Sequence, residues 1–262
     1  MTRGLLEIAI VLHATGAAAS FAGELRKRAA WTRAGALILS GAFVLELAVL
    51  AMLAASGPAV PVRGGADYLL ALGCLVLGLH LVLSLGRGLP GIALVLPAAS
   101  AAMVAVALVL PSTPPSGAAL EQRGWLVAHT VVATSGMAAL AVAFAMAILF
   151  LVKDRALKLK RSVRMLERFP PLETIDRVGF HAMLWGFSLL TLGIATGLAM
   201  KAELHRPLFA WSAKEVFPIL AWLVFAFLLS ARRARGISGR RFALLAIAGF
   251  ALGILTVLGM PR

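Results

Sequence analysis

The chain has 262 residues, of which 61% are hydrophobic and 14% charged, with a mean hydropathy of +0.96 and a formal charge of +14. So apolar a composition excludes a soluble globular domain, and the positive charge does not point to nucleic acid because it collects in alternate loops between apolar runs, as the positive-inside rule requires. Cys74 is the only cysteine, which excludes an intrachain disulfide framework, a CxxC redox pair and a thiolate metal cluster.

Eight apolar runs are each long enough to cross a hydrocarbon core of roughly 30 Å. None alternates with the period of a barrel strand, so helices are the only spanning solution. The first run, 4–21, has a weak basic lead-in, is interrupted by Glu7 and His13, and precedes a basic cluster; it reads as a retained helix rather than a cleaved signal. Span two is 34–55 and ends in a Pro/Gly-rich loop, 56–67. Spans three and four, 68–85 and 92–110, flank the turn GRGLPG. The loop PSTPPSGAALEQRG has the turn chemistry of an ordered connection and leads to span five, 125–152. A long basic segment, 153–177, precedes span six, 178–200. A polar loop, 201–214, leads to span seven, 215–230, with Pro218 in its first turn. Span eight is 242–259. The fold class is therefore all-α: a polytopic membrane bundle of eight transmembrane helices, expected to form a single integral-membrane domain over residues 1–262.

The loops after spans one, three, five and seven hold 18 of the 25 Lys and Arg residues. This bias puts them in the cytoplasm and both termini, with the 201–214 loop, on the other side. Packing is expected through small residues four apart, Ala139, Ala143 and Ala147 in span five and Gly193 and Gly197 in span six.

Ionisable side chains inside a membrane are costly and commonly face a partner or a cavity, which makes each a candidate. Counting 1.5 Å per residue, His129 lies roughly 6 Å below the outer edge of span five, with His205 in the loop above it. These two can share one ligand at the outer face. His80 and His181 lie roughly 5–8 Å from the inner edge of spans three and six, at a depth that allows a second, inner pair. Neutral imidazole is a good haem-iron ligand, so either pair suits bis-histidine ligation; a lone histidine bonded to a neighbouring helix is the plainer alternative for each. His13 and Glu46 match in depth near the midplane. They suit a buried ion pair or hydrogen bond, with a proton or solute path as the sharper reading. In the 201–214 loop, Lys201, Arg206 and Lys214 accompany Trp211 and Glu215, a basic and aromatic rim that can meet carboxylates and a flat ring or act as an interfacial anchor. No nucleophile–base pair, phosphate loop or metal-hydrolase spacing is present, so no catalytic role is expected.

The order PPLETIDR, FHAMLWGFSLLTLGIATG, AWSAKE, AWLVFAFLL and RARGISGRR, preceded by WLVAHTVVATSGMAALAVAFAMAILFLV, resembles the cytochrome c assembly family of membrane proteins, CcsA-type and HemX-like. The lead-in is carried by Leu172, Glu173, Ile175, Asp176 and Arg177, and the loop signature by Trp211, Lys214 and Glu215. Trp125 and His129 stand where the larger members carry a haem-binding outer histidine. Ser212 and Ala213 replace an Asp-Pro of those members, Ser230 stands where they have a histidine, and no histidine follows His205. The likeness is therefore to the small eight-span HemX or YpjD-type members.

The resemblance implies a haem-binding or haem-handling accessory in cytochrome c assembly, in a bacterial cytoplasmic membrane. It implies haem b with His129 as the outer iron ligand, His205 as its candidate partner and Trp211 lining that face; the depths of His181 and His80 add a second expected position nearer the inner face, with His181 as iron ligand. The expected partners are haem, membrane lipid and other cytochrome c maturation proteins, with no nucleic acid. A non-haem regulator or scaffold linked to tetrapyrrole synthesis, acting through residues 153–177, is the alternative, and a small-solute transporter resting on Glu46 and His13 is a third.

Overall fold

The computed structural model describes residues 2–55, 62–85, 91–111, 123–159, 169–203, 205, 207, 209–236 and 239–259. Among them, every regular element is a helix: α1 (Thr2–Arg26), α2 (Ala29–Ala55), α3 (Gly65–Leu85), α4 (Ile92–Val109), α5 (Arg123–Lys158), α6 (Leu172–Glu203), α7 (Ala213–Arg235) and α8 (Arg240–Ile254), closed by a 3-10 turn (Leu255–Gly259). All eight are long and apolar enough to span a bilayer. Most of the expected ordered connection (112–122), Arg206 and residues 160–168 of the basic segment lie outside the described residues. Below, the basic face is the one at which α1, α5 and α7 end, and the His205 face is the opposite one.

The first four helices pack around a shared centre. Helix α1 buries Ala9, His13, Gly16, Ala17, Ser20 and Gly23, and α2 buries Gly35, Leu39, Ala42, Glu46 and Val49. These recur at three- and four-residue steps, which places them on one helical face. The opposite faces carry exposed Val11, Leu37, Val44 and Leu47; in a membrane, apolar residues on an outward face meet lipid tails. The two helices join through Lys27, in left-handed backbone at φ 53°. Helix α3 is half buried because α2, α4 and α5 all pack on it.

Helix α5 is the axle of the second half, with 61% of its apolar window enclosed, more than any other helix. Its tightest neighbour is α6, which presents Gly179, Gly186 and Gly193 seven residues apart. A methyl group at these positions would stand 3.0 Å from Met146 Cβ, 2.6 Å from Leu140 Cγ and 3.0 Å from Ala133 Cβ. Glycine lets the two backbones approach that closely, and a seven-residue recurrence keeps the seam facing its partner. Ala143 and Ala147 line the junction where α5 meets both α6 and α8, beside Gly179, Phe242, Ala243 and Ala246. Helix α7 closes on α8 where the Phe225 ring lies over Gly249.

Several helices run past the apolar stretches that mark them. Helix α6 begins at Leu172, so LETIDR forms its first turns rather than a loop, and it continues to Glu203, taking Lys201 into the helix. The cause is side-chain satisfaction: Ile175 is buried, and Asp176 accepts two hydrogen bonds from Arg232 of α7, at 3.0 and 2.6 Å. Helix α5 likewise extends to Lys158, which pairs with Asp154 one turn earlier. At the basic face, Lys153 Nζ donates to the carbonyls of Phe169 and Pro170 at 2.8 and 2.5 Å.

Candidate functional site

Two turns into α5, His129 packs against α6 between two of its glycines, Gly193 and Gly197. A Cβ at residue 197 would lie 2.9 Å from His129 Cε1, so Gly197 makes room for the ring. His129 Nδ1 lies 2.9 Å from the Gly193 carbonyl and 3.3 Å from Thr196 Oγ1. A carbonyl only accepts, so Nδ1 carries the proton and donates. The Thr196 hydroxyl is itself donated to the carbonyls of Leu192 and Gly193, at 2.9 and 3.0 Å, leaving a lone pair toward the ring. The imidazole is therefore held in one tautomer, and its Nε2 lone pair makes no hydrogen bond among the described residues.

Above this ring the chain turns. Helix α6 ends at Glu203; His205 follows in left-handed backbone at φ 49°, its side chain exposed. Trp211 is also left-handed, at φ 51°, with 80% of its surface open and its ring 6.1 Å from that of Phe209. These rings form one wall of an apolar hollow of about 240 Å³, completed by Glu215, Val216, Ile219, Leu220 and Leu223 on α7. Its rim is fixed by Glu215, which accepts from Lys201 at 2.5 Å and from the Ala210 N–H at 2.7 Å. Lys214 points outward and exposed. Lys201 thus belongs to α6 and not to the loop that its polarity suggests, and it clasps the ends of α6 and α7 together.

The histidine pairs fare differently. His129 meets α6 at Gly193–Gly197, six to ten residues below Glu203, so His205 sits roughly 9–15 Å farther along the axis. No hydrogen bond or ring contact joins the two. The inner pair does not assemble. His80 is buried among the first four helices, its Nε2 3.4 Å from Ser84 Oγ, whereas His181 lies exposed on α6, donating from Nδ1 to the Arg177 carbonyl at 2.8 Å. Helix α3 packs on α2, α4 and α5, and α6 on α5 and α7, so these two helices share no packed interface. Equal depth in the membrane is no guarantee of adjacency.

A second polar group lies in the first four helices. His13 and Glu46 are buried, with His13 Nε2 3.3 Å from Glu46 Oε1. Ser100 of α4 joins them, its Oγ 3.0 Å from Nε2 and 2.8 Å from the Gly73 carbonyl. Sequence reading had no signal for Ser100, since one serine in an apolar helix reads as ordinary packing. Near the basic face Arg232 completes a third polar feature. It is held by Asp176 and stacked over Phe180 and Phe242, at 4.4 and 4.8 Å from the ring centres.

Eight spanning helices with polar groups at both faces and at mid-depth define a multi-pass integral membrane protein. The family model described as Cytochrome C assembly protein matches residues 65–261, from α3 to the closing turn, and the chain belongs to that family. Similar proteins include Cytochrome c biogenesis protein CcsA of Guillardia theta, 32% identical over 154 residues (53% of this chain and 51% of the relative). The protein of the same name from Prochlorococcus marinus (strain MIT 9301) is 30% identical over 159 residues, with the same shares covered. That of Nostoc sp. (strain PCC 7120 / SAG 25.82 / UTEX 2576) is 38% identical over 94 residues, 36% of this chain and 27% of the relative. The chain thus spans about half the length, or less, of the curated relatives it matches.

Proposed function

We propose that this protein binds haem b at its His205 face and hands it on, as a non-catalytic accessory in cytochrome c assembly. The observation that carries the reading is the His129 ring: Nδ1–H fixed on the Gly193 carbonyl, Nε2 free. That is the disposition of a metal-bound histidine whose second shell sets tautomer and ring angle. Haem, when bound, would supply an iron that such a nitrogen could hold.

Other residues toward the same face suit such a group in their chemistry. Phe209 and Trp211 offer flat apolar faces beside the hollow on α7, and an indole or phenyl ring suits the edge or face of a macrocycle. Exposed Lys214 is placed to meet a propionate. His205 supplies a second ligand only if its turn descends toward His129, and its exposure and lack of side-chain bonds leave it free to do so. His181 also has Nδ1 tied to a carbonyl and Nε2 free, which supports a separate haem position near the basic face without His80. The relatives' names, cytochrome c biogenesis protein, supply the assembly role and the expectation of other maturation proteins as partners. The distribution of Lys and Arg supports an orientation with the His205 face on the side away from the basic loops, and we place the protein in a bacterial cytoplasmic membrane.

The test is a reduced-minus-oxidised spectrum of the full chain in detergent, before and after haem addition. Haem bands that depend on His129 are expected; an absence of bands even with haem supplied would sink the reading.

A further inference from the structure

We propose that Glu46 and His13 form a proton-exchange site at the centre of the first four helices, holding one transferable proton that communicates with the basic face through His80 and Ser84. The inference is separate from haem binding: α1 and α2, which carry the pair, lie outside the residues matched by the family model.

The proton count comes from the hydrogen bonds. His13 Nδ1–H is committed to the Ala9 carbonyl at 2.7 Å, and the Ser100 hydroxyl proton to the Gly73 carbonyl at 2.8 Å. One proton remains for His13 Nε2 and Glu46 Oε1, 3.3 Å apart. On Nε2 it makes an imidazolium facing a carboxylate, with Ser100 Oγ as a further acceptor at 3.0 Å. On Oε1 it makes a carboxylic acid facing a neutral imidazole. The step breaks one N–H bond as it forms one O–H bond, and the pair stays net neutral in both states. Neutrality matters here, because an uncompensated charge sealed from water is what a membrane interior tolerates least.

Among the described acids that are buried or half-buried, Glu46 alone has nothing that locks it as an anion. Among the described residues, Asp67 is held by Arg63, Asp154 by Lys158, Asp176 by Arg232 and Glu215 by Lys201, while Glu24 accepts from the Gly91 N–H. Glu46 faces only a titratable group, and neither of its oxygens, both fully sealed, makes a hydrogen bond of good geometry. The groups turned toward the pair are few. Helix α3, which packs against both α2 and α4, brings buried Cys74 and His80. Helix α4 brings only Ser100, and the remaining charges of α1 and α2 lie near the helix ends.

His80 supplies the way out. It stands seven residues beyond Gly73, roughly 10 Å nearer the basic face. Its Nδ1 is buried with no partner, and its Nε2 lies 3.4 Å from Ser84 Oγ, on a residue that is exposed. The route requires a buried water beside His80 Nδ1, the usual partner of a sealed polar atom without a protein one.

The test uses the full chain, labelled with ¹⁵N-histidine, in lipid nanodiscs with no haem added. The His13 Nε2 resonance is expected between the positions of a protonated and a bare imidazole nitrogen, and Glu46→Gln is expected to move it to the bare position. The shared proton should exchange with D₂O at least tenfold more slowly in His80→Phe; Ser84→Ala, a milder change at the exposed end, tests the same step should the larger ring disturb folding. An Nε2 resonance that Glu46→Gln leaves unmoved overturns the pair, and exchange that neither His80→Phe nor Ser84→Ala slows overturns the route.

Discussion

Gly197 and His129 meet as backbone and ring, with no room for a methyl group between them: a Cβ on residue 197 would be 2.9 Å from Cε1 and 3.3 Å from Nδ1. The ring can retreat only by giving up its hydrogen bond to the Gly193 carbonyl, since both contacts lie on the same stretch of α6. Gly197→Ala should therefore weaken haem binding about tenfold, the scale on which second-shell changes act at metal sites. Gly197→Val should lower stability as well, by about 1–3 kcal/mol from overpacking. Haem titration and thermal unfolding of the two variants separate the effects. Wild-type affinity in both would mean that the seat does not orient the ligand.

The five histidines should divide by environment rather than by depth. His129→Ala removes an open Nε2 and is expected to abolish the haem spectrum at the His205 face. His205→Ala, which removes a side chain that no contact ties to His129, should change affinity by no more than about threefold unless its turn moves on binding. His80→Ala should leave the haem spectrum intact and act on stability instead, since it opens a void in a buried wall. Loss of the spectrum in His80→Ala would return that residue to the ligand set.

Why depth could be read and pairing could not is a matter of dimensions. Hydropathy and residue counting locate a side chain along the membrane normal, and this places His129 near one face, His80 near the other, and His13 level with Glu46. Which helices touch is set by small-residue seams such as Gly179–Gly186–Gly193 meeting Met146, Leu140 and Ala133, and a chain rich in glycine and alanine offers many such seams. His80 and His181 share a depth and sit on helices that do not pack together. Helix ends were blurred for another reason. Asp176 and Lys201 read as loop residues because they are polar, but each is held by a partner on α7, Arg232 and Glu215, and so belongs to a helix. Family membership was more legible than the site, because ordered motifs survive in the sequence even where contacts across helices cannot be read.

The Asp176–Arg232 pair ties the start of α6 to the end of α7 with two hydrogen bonds, while Phe180 and Phe242 sandwich the guanidinium. Hydrogen bonds to charged groups contribute about 1.5–3 kcal/mol when shielded, and partial exposure of this pair, at 21% and 19%, places it at the lower end. Arg232→Lys should recover little, since an ammonium cannot make the bidentate contact or stack as a plane. A double-mutant cycle of Asp176→Asn and Arg232→Gln, read by unfolding in detergent, should show coupling of about 1–2 kcal/mol. Strict additivity would show that the aromatic sandwich alone holds the arginine.

Sidedness follows from charge and can be tested with cysteine chemistry. The chain has one native cysteine, Cys74, and it is buried in α3, so an impermeant thiol reagent should leave the unaltered protein unlabelled. Lys214→Cys places a thiol on an exposed residue of the His205 face, and Arg155→Cys places one near the basic end of α5. Both side chains lie close to the ends of their spans, where the Lys and Arg bias acts most strongly on topology. In intact cells or right-side-out vesicles, Lys214→Cys should react within the time in which Arg155→Cys stays unlabelled, and disrupting the membrane should make the second reactive. The reverse pattern would invert the protein in the membrane. It would also move the His129 ring and the Trp211 hollow to the cytoplasmic side, where a handover of haem to an assembly partner outside could not take place.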